Sequence, residues 1–441
     1  MSVKLGIISL GCDKNRVDTE NLLAYAGDAG IEFTADENEA DVILINTCAF
    51  IKKSQQEAID TILEFVEKKK ERDFKIIVTG CLPERYKQEI VDAIPEVDAF
   101  LGIGEYSKIA DVIKSAREGK KVVDFTPCDL PSTKRVLTTP YHYAYLKIAE
   151  GCDNHCTYCA IPKIRGKFRS RTIESLYDEA KILVDEYGVK ELNIVAQDIT
   201  RYGMDWDGKP HLAELLEELC KLDFHWIRLH YLYPDSITDE LIDTIAAEPK
   251  ICNYMDIPIQ HCNDDILRAM RRRETKAGLH QLFKKLRSRI PGLVLRTSII
   301  TGLPYEDEAA FEELCGFLQE EKIQRAGAFP YSPEEGTPAA KMLNRVDSDQ
   351  AQSRAELIMQ LQSQVMDQFN ESRLGTTLEV LCDGFDPQAM AYVGRSWAES
   401  PGIDGVIYFT ADRDVQPGQF VPVRITGIMD GDLTGEVTEE E

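Results

Sequence analysis

Two successive alternations of short β-rich runs with helical patterns leave this 441-residue chain few folds to choose from. The first fills residues 1 to about 120, where "VKLGIISLG", "DVILINT" and "FKIIVTG" are separated by helical patterns near 18–29, 53–72, 84–94 and 105–117, the last ending at Gly119. Apolar runs of this length between amphipathic helices are the βαβ signature of a doubly wound parallel sheet. Residues 120–140, "KKVVDFTPCDLPSTKRVLTTP", carry three prolines and no amphipathic period, so they read as a last strand followed by a linker. The second alternation starts at 141 and offers six strands: "YAYLKIA", "ELNIVAQ", "WIRLHYL", "YMDIPI", "LVLRTSII" and "RAGAFPY". Six βα units are too few to close an eight-stranded barrel and suit an open, partial (βα)6 barrel, with its chemistry at the carboxyl ends of the strands.

Past these units, a segment over about 347–373 sets Ala351, Ala355, Ile358, Leu361, Val365 and Phe369 on one helical face. From 375 onward "TLEVLCDG", "MAYVGRS", "GVIYFT", "FVPVRITGI" and "LTGEV" recur between Gly and Pro turns, the pattern of a small antiparallel β-barrel. The expected architecture is α/β multidomain: a first domain over 1–120, a linker over 121–140, a core over 141–371 and a barrel over 373–441.

A formal net charge of −25 argues against a general nucleic-acid surface and favours a basic protein as partner. No apolar run reaches the ~18 residues a membrane span needs. The start, "MSVKLGIISLGCDKN", enters a strand at once with neither a basic region nor a cleavage site, so a cytoplasmic location is expected. In that reducing compartment twelve cysteines are not a disulfide framework, and metal or cluster chemistry is the first expectation.

"GCDNHCTYC", residues 151–159, places Cys152, Cys156 and Cys159 in the loop after the first strand of the second alternation. Structural zinc closes with four ligands, and an iron–sulfur cube normally takes four thiolates; only three are local. His155, between two of them on a three-residue loop, reads as an exposed loop histidine. The alternative is a cube with one iron left open. These residues resemble the radical S-adenosylmethionine signature, C-x3-C-x-aromatic-C, with Tyr158 as the aromatic. The resemblance implies a [4Fe–4S] cluster on the three cysteines. Its open iron would bind the amino and carboxylate groups of S-adenosylmethionine, which one electron then cleaves to a 5′-deoxyadenosyl radical. "TSIITGLPYED", residues 297–307, resembles that superfamily's later cofactor-contacting strand and turn, with Gly302 in the turn. Gln197, Asp198 and Gln260, near strand ends, are further candidate contacts.

Cys12, Cys48 and Cys81 are distant in sequence, yet each follows a strand: "IISLGC", "ILINTC", "IIVTGC". The ends of parallel strands share one edge, so these thiols can converge in the crevice where such folds bind ligands. Cys128, Cys220, Cys252, Cys262, Cys315 and Cys382 match neither triad and read as structural. Two triads followed by a small β-barrel resemble, over essentially the whole chain, the methylthiotransferase family. That resemblance implies an auxiliary [4Fe–4S] cluster on Cys12, Cys48 and Cys81 that carries the sulfur to be inserted, and a substrate-holding barrel, the TRAM domain. All six cysteines are then both metal-ligating and catalytic.

One branch of that family modifies adenosines in transfer RNA; another modifies an aspartate of small-subunit ribosomal protein twelve. Residues 375–441 hold 13 Asp and Glu against Arg395, Arg413 and Arg424, a net of −10 that would repel RNA and attract a basic ribosomal protein. "AEGCDNHCTYCAIPKIRGKFRSR", "YMDIPIQHCNDDILRAMRRR" and "RAGAFPYSPEEGTPAA" also resemble the ribosomal-protein branch. The implied reaction replaces a hydrogen on the aspartate β-carbon with a methylthio group, a second S-adenosylmethionine supplying the methyl. Transfer-RNA modification is the alternative, and a non-catalytic ribosome-binding scaffold is a rival of another class. Two basic stretches, Lys163, Arg165, Lys167, Arg169 and Arg171, and Arg271, Arg272 and Arg273, are expected either as solvated helix ends or as contacts. Contacts would be to cofactor or substrate carboxylates or to an acidic low-potential electron donor such as flavodoxin or ferredoxin.

Overall fold

Residues 3–104, 106–126 and 134–438 are described by the computed structural model. β1 (Lys4–Ser9), β2 (Glu32–Phe33), β3 (Val42–Thr47), β4 (Lys75–Gly80), β5 (Ala99–Leu101) and β6 (Val122–Asp124) form one sheet in the order β2-β1-β3-β4-β5-β6. Every pairing in it is parallel. β3 is buried at all six positions because helices cover both faces, which is why it reads as continuous apolar sequence. α1 (Asp13–Asp28) and α5 (Ile109–Arg117) pack Leu22, Ile109 and Ile113 against Leu5, Val42 and Leu44. On the other face α2 (Lys52–Lys68), α3 (Cys81–Tyr86) and α4 (Gln88–Ala93) pack Ile62, Phe65, Leu82 and Ile90 against Ile43, Ile45 and Val78. The strand order reverses between β1 and β3, the position at which such sheets open a crevice. β2 and β5, of two and three residues, are too short to leave a periodic trace. The expected helix over 84–94 is split at Lys87, whose φ of 46° breaks the hydrogen-bond ladder.

The expected last strand before the linker is β6. Residues 127–133 of the linker, Cys128 among them, lie outside the described residues. Past them Arg135 is buried and donates to Glu20 of α1, to Glu179 and to the Tyr145 carbonyl, tying the end of the linker to the domains on either side.

β7 (Tyr143–Lys147), β8 (Ala149–Glu150), β9 (Arg169–Ser170), β10 (Glu191–Val195), β11 (Trp226–Leu229), β12 (Ile251–Asp256), β13 (Val294–Thr301) and β14 (Arg325–Pro330) follow. β7 and β10 to β14 form a parallel sheet in chain order whose outer strands do not pair with each other, an open (βα)6 barrel as expected. β8 and β9 pair antiparallel as a clip at the base of the loop that carries Cys152, Cys156 and Cys159. The helix Ser348–Glu371 is capped by Asp347, which accepts from the Asp349 amide; Ala351, Ala355 and Ile358 are buried, while Leu361, Val365 and Phe369 are half-buried.

β15 (Thr377–Asp386), β16 (Ala391–Arg395), β17 (Ile407–Thr410), β18 (Phe420–Met429) and β19 (Asp432–Val437) close a barrel in the order β15-β16-β17-β19-β18. The expectation of a wholly antiparallel barrel is corrected at one seam: β17 and β19 run parallel, whereas the other four pairings are antiparallel. The reason is parity, since strand directions can alternate around a ring only if their number is even. The loop 396–404 of this barrel reaches into the central one: Arg228 donates to the Trp397 carbonyl at 2.6 Å, Tyr254 to Asp404 at 2.6 Å, and Ser400 meets His230 at 3.2 Å. Trp226, Cys252, Tyr254 and Val294 share a core with Leu381 and Ala398.

Glu399 anchors this contact, bonded at 2.7 Å to Arg325 and at 2.6 Å to Arg373. Burial acts to raise its pKa, but the two guanidinium groups overcome it and hold the carboxyl at about 2. A depressed folded value means the stabilisation is present above the unfolded value, about 4.3, and is lost as pH falls toward 2. Glu399→Gln should therefore cost about 3–5 kcal/mol at pH 7. Denaturant melts of variant and parent should converge as pH falls through that window.

Candidate active site between two cysteine triads

Cys12, Cys48 and Cys81 follow β1, β3 and β4 onto one sheet edge, the first two at the topological switch point. The crowding there explains two glycines. Gly11 has φ of 94°, and a Cβ on it would stand 2.6 Å from Cys48 Cβ; Gly80, φ 95°, would place one 2.8 Å from the Thr47 amide. Asn15 holds the edge together by donating to the Leu10 carbonyl at 3.1 Å and the Thr47 carbonyl at 2.9 Å. Cys12 is exposed, whereas Cys48 and Cys81 are buried. Burial pushes the Cys48 thiol up and the Cys81 thiol up to about 12, with Arg165 opposing at Cys81 and the neighbouring thiols reinforcing at both.

Cys152 begins the second group. Gly151, φ 79°, lies so close to the Gly166 carbonyl that a Cβ would be 2.6 Å from it, and the Cys152 amide donates to the same carbonyl at 3.2 Å. The Cys159 amide donates to the Cys156 carbonyl at 3.1 Å, folding the loop on itself. Burial raises the Cys152 thiol to about 11 and the Cys159 thiol further, and Cys156 acts electrostatically on both. Each triad is thus gathered within mutual electrostatic reach. Among the described residues, no three Cys, His, Asp or Glu side chains stand at the spacing of ligands to one metal ion. A four-iron cube does not require that spacing, because its thiolates bind different irons. His155 is exposed, with φ of 52°.

One side chain ties the triads together. Arg165, six residues past Cys159, is buried and donates to Glu150 at 3.0 and 2.9 Å, to Asp18 at 3.1 Å, to Asn15 and, at 3.5 Å, to Cys81 Sγ. Lys147, at the end of β7, bonds the same two carboxylates, Asp18 and Glu150. Lys147, Glu150 and Arg165 of the central domain thus meet Asp18 across the domain boundary, and the two-against-two balance lets four buried charges survive desolvation.

Gln197, at the end of β10, donates to Glu150 at 3.1 Å, while its own buried carbonyl oxygen has no partner. Asp198 accepts from Asn154 at 2.7 Å and from Thr200. Gln260, with φ of 68°, is tied through its backbone to β13. Tyr158 accepts from Arg272 at 3.1 Å. Gly302 lies beneath the helix Ser348–Glu371, against Ala351, where its φ of 74° and the close approach exclude a side chain. Among the cysteines outside the triads, Cys252, Cys262 and Cys382 are buried and Cys220 and Cys315 half-buried.

The basic stretches are not a run of solvated ends. Arg165, Arg171 and Arg272 are buried against Glu150, Glu179 and Glu274, each turned inward by an irregular segment onto a carboxylate. Lys163, Lys167, Arg271 and Arg273 are exposed and Arg169 half-buried. Asn15, Asp18, Lys147 and Glu150 were not foreseen as site residues. A lysine and a glutamate inside the apolar run "YAYLKIAE" are the signal that could have found the last two.

Three family models match: the Uncharacterized protein family UPF0004 over residues 4–102, the Radical SAM superfamily over 146–318 and the TRAM domain over 374–438. The chain is 46% identical over 436 residues to the ribosomal protein uS12 methylthiotransferase RimO of Caldanaerobacter subterraneus subsp. tengcongensis, covering 98% of this chain and 99% of that protein. It is 47% identical to the RimO of Pelotomaculum thermopropionicum, with 99% of each covered. Among solved structures, the radical S-adenosylmethionine methyltransferase TsrM of Kitasatospora setae, with cobalamin and a [4Fe-4S] cluster bound, aligns with a TM-score of 0.58. It covers 77% of each chain at 14% identity, a likeness of fold alone.

Removing Arg165 should separate packing from charge. Arg165→Met leaves Asp18 and Glu150 with Lys147 as their remaining cation in this network, an uncompensated buried negative charge worth about 3–5 kcal/mol. Thermal unfolding should show the loss, and limited proteolysis should show the first two domains parting before either unfolds.

Proposed function

The chain belongs to the ribosomal protein uS12 methylthiotransferase family, RimO, and we propose that Cys12, Cys48 and Cys81 hold its auxiliary cluster while Cys152, Cys156 and Cys159 hold its radical-generating one. It is a radical S-adenosylmethionine enzyme that adds a methylthio group to an aspartate of uS12, using S-adenosylmethionine and two [4Fe–4S] clusters. The observation that carries the assignment of roles is Arg165: it leaves the loop of one triad and touches a thiol of the other, so both triads serve one crevice. The donor sets fit the groups. Among the described residues each triad offers three thiols and no fourth, and the unpartnered oxygen of Gln197 lies beside the network that joins them.

When bound, the clusters and S-adenosylmethionine supply what acid–base chemistry cannot: a carbon radical from an unactivated C–H bond, and the sulfur that replaces the hydrogen. The protein's part is positional. β1, β3 and β4 present the three thiols of the sulfur-carrying side from a rigid edge, and the β8–β9 clip fixes the loop of the radical side. The buried charge pairs exclude water from the domain contact beside Cys81, while Cys12 remains exposed. Tyr158 and Gln197 remain the proposed non-cysteine cofactor contacts, with Gly302 shaping the turn that follows β13.

The C-terminal barrel supports a protein target. Asp383 and Glu399 turn inward to arginines, but Glu379, Asp412, Asp414, Asp430 and Glu436 stay exposed, a surface suited to a Lys- and Arg-rich ribosomal protein and poorly suited to RNA. Lys167 and Arg271, exposed near the second triad, would suit an acidic low-potential donor such as flavodoxin or ferredoxin. No helix among the described residues is long and apolar enough to cross a membrane, and a ribosomal-protein target favours a cytoplasmic location.

Incubation of anaerobically reconstituted protein with reductant, S-adenosylmethionine and uS12 should replace one aspartate hydrogen by SCH3, read by mass spectrometry, and leave transfer-RNA adenosines unchanged. Alanine at Cys12, Cys48 and Cys81 should abolish methylthio transfer yet still release 5′-deoxyadenosine. Alanine at Cys152, Cys156 and Cys159 should abolish both. Modified adenosine with unmodified uS12 would reverse the assignment of target.

A further inference from the structure

We propose that Lys14 receives the carboxylate of the substrate aspartate and so selects that side chain; the inference rests on the methylthiotransferase reading and names a residue for its specificity. Lys14 lies in the first turn of α1, two residues past Cys12, and only 7% of its surface is exposed. Its ammonium stands 3.4 Å from the centroid of the Tyr231 ring. Among the described residues no carboxylate lies within 4.0 Å of it, and the neighbouring Asp13 instead accepts from the Tyr231 hydroxyl at 3.5 Å. Burial opposes its charge while the Tyr231 hydroxyl, the Cys12 thiol and Asp13 favour it, yet no carboxylate pairs with it directly, so an anion can still be received there.

The ring beneath it is fixed. Tyr231 has φ of 63°, unusual for a residue with a side chain, and its backbone is clamped at both ends: the amide donates to Asp256 at 3.2 Å and the carbonyl accepts from Ile199 at 3.1 Å. Strain of this kind persists where it aims a side chain. Here it aims the phenol ring across the domain gap, from the carboxyl end of β11 toward Cys12. Tyr145, Val195 and Val17 form an apolar cluster with Tyr231, so the ammonium sits over a largely nonpolar floor beside the first triad.

The other cations of the crevice are occupied. Arg165 and Lys147 share Asp18 and Glu150, Arg272 holds Glu274, and Arg273 holds Asp235. The chemistry demands one that is not. The aspartate carbon that gains sulfur is bonded directly to the carboxylate carbon, so a substrate placed for reaction carries its charge into the same gap. A carboxylate buried there is stable only if a cation meets it. Among the described buried cations of this crevice, Lys14 is the one with no carboxylate in ion-pair contact.

The test is a double-mutant cycle between enzyme and substrate. Peptides of the uS12 target carrying Asp or Asn at the modified position are compared with parent protein and Lys14→Met, reading kcat/KM and, without reductant, equilibrium binding. In the parent, Asn should bind and react about 100-fold worse than Asp. Lys14→Met should lose a similar factor on the Asp peptide and discriminate Asp from Asn by less than about 3-fold. Iron content and release of 5′-deoxyadenosine without peptide are read in parallel, and a loss in either that accounts for the whole effect would overturn the pairing. Independent, multiplying losses would overturn the pairing and leave Lys14 a strut between domains. If Lys14→Met melts early, Lys14→Arg, which keeps the charge, should retain the preference for Asp, and an Arg variant blind to it would overturn the proposal equally. A parent that modifies neither peptide contradicts the function reading instead, and the binding arm then decides the Lys14 pairing alone.

Discussion

Four buried charges, Asp18, Lys147, Glu150 and Arg165, hold the two catalytic halves of this molecule in register. Arg135 on Glu20 and Glu179, and Arg85 on Glu334, add buried pairs along the same boundary. Apolar packing between domains tolerates sliding, whereas an Arg fork on a carboxylate does not. Because the charges balance two against two, the network avoids a net buried charge and its penalty. Three members also belong to the machinery by position: Asp18 lies on the helix that starts after Cys12, Glu150 sits two residues before Cys152, and Arg165 closes the second loop. The distance between the triads is therefore set by the same contacts that hold the domains.

Parallel sheets supply the other half of the design. A parallel strand delivers its carboxyl end, and whatever residue follows it, to one edge; three strands of one sheet and the first strand of the next bring six thiols to two facing edges. Small residues complete the placement. Gly11, Gly80 and Gly151 each occupy a left-handed turn immediately before a cysteine, in space already filled by a neighbour. Turn and crowding coincide, so the cysteines have little freedom left to lose when a cluster binds.

Much of this was legible in the chain itself. The six central strands and the three cysteine-bearing N-terminal ones are long, apolar and evenly spaced, so their existence and direction follow from pattern alone. β2 and β5 are too short for any pattern, and the parallel seam between β17 and β19 is a property of closing five strands into a ring rather than of any segment. The basic runs misled for a related reason. Charge is visible in sequence, but whether Arg165 meets solvent or Glu150 depends on a loop conformation with no periodic signature. Asn15 and Lys14 carried no signal at all, since their meaning lies in what stands across the domain boundary.

The loop 396–404 has a bearing on how the molecule assembles. It follows the central barrel in the chain, yet it caps Arg228 and Tyr254 inside that barrel and brings Glu399 to Arg325 and Arg373. Until those residues have been made, the two arginines await a carboxylate not yet translated. A chain cut short before residue 396 lacks that counter-charge, so the central barrel completes its own packing only with a segment of the domain that follows it.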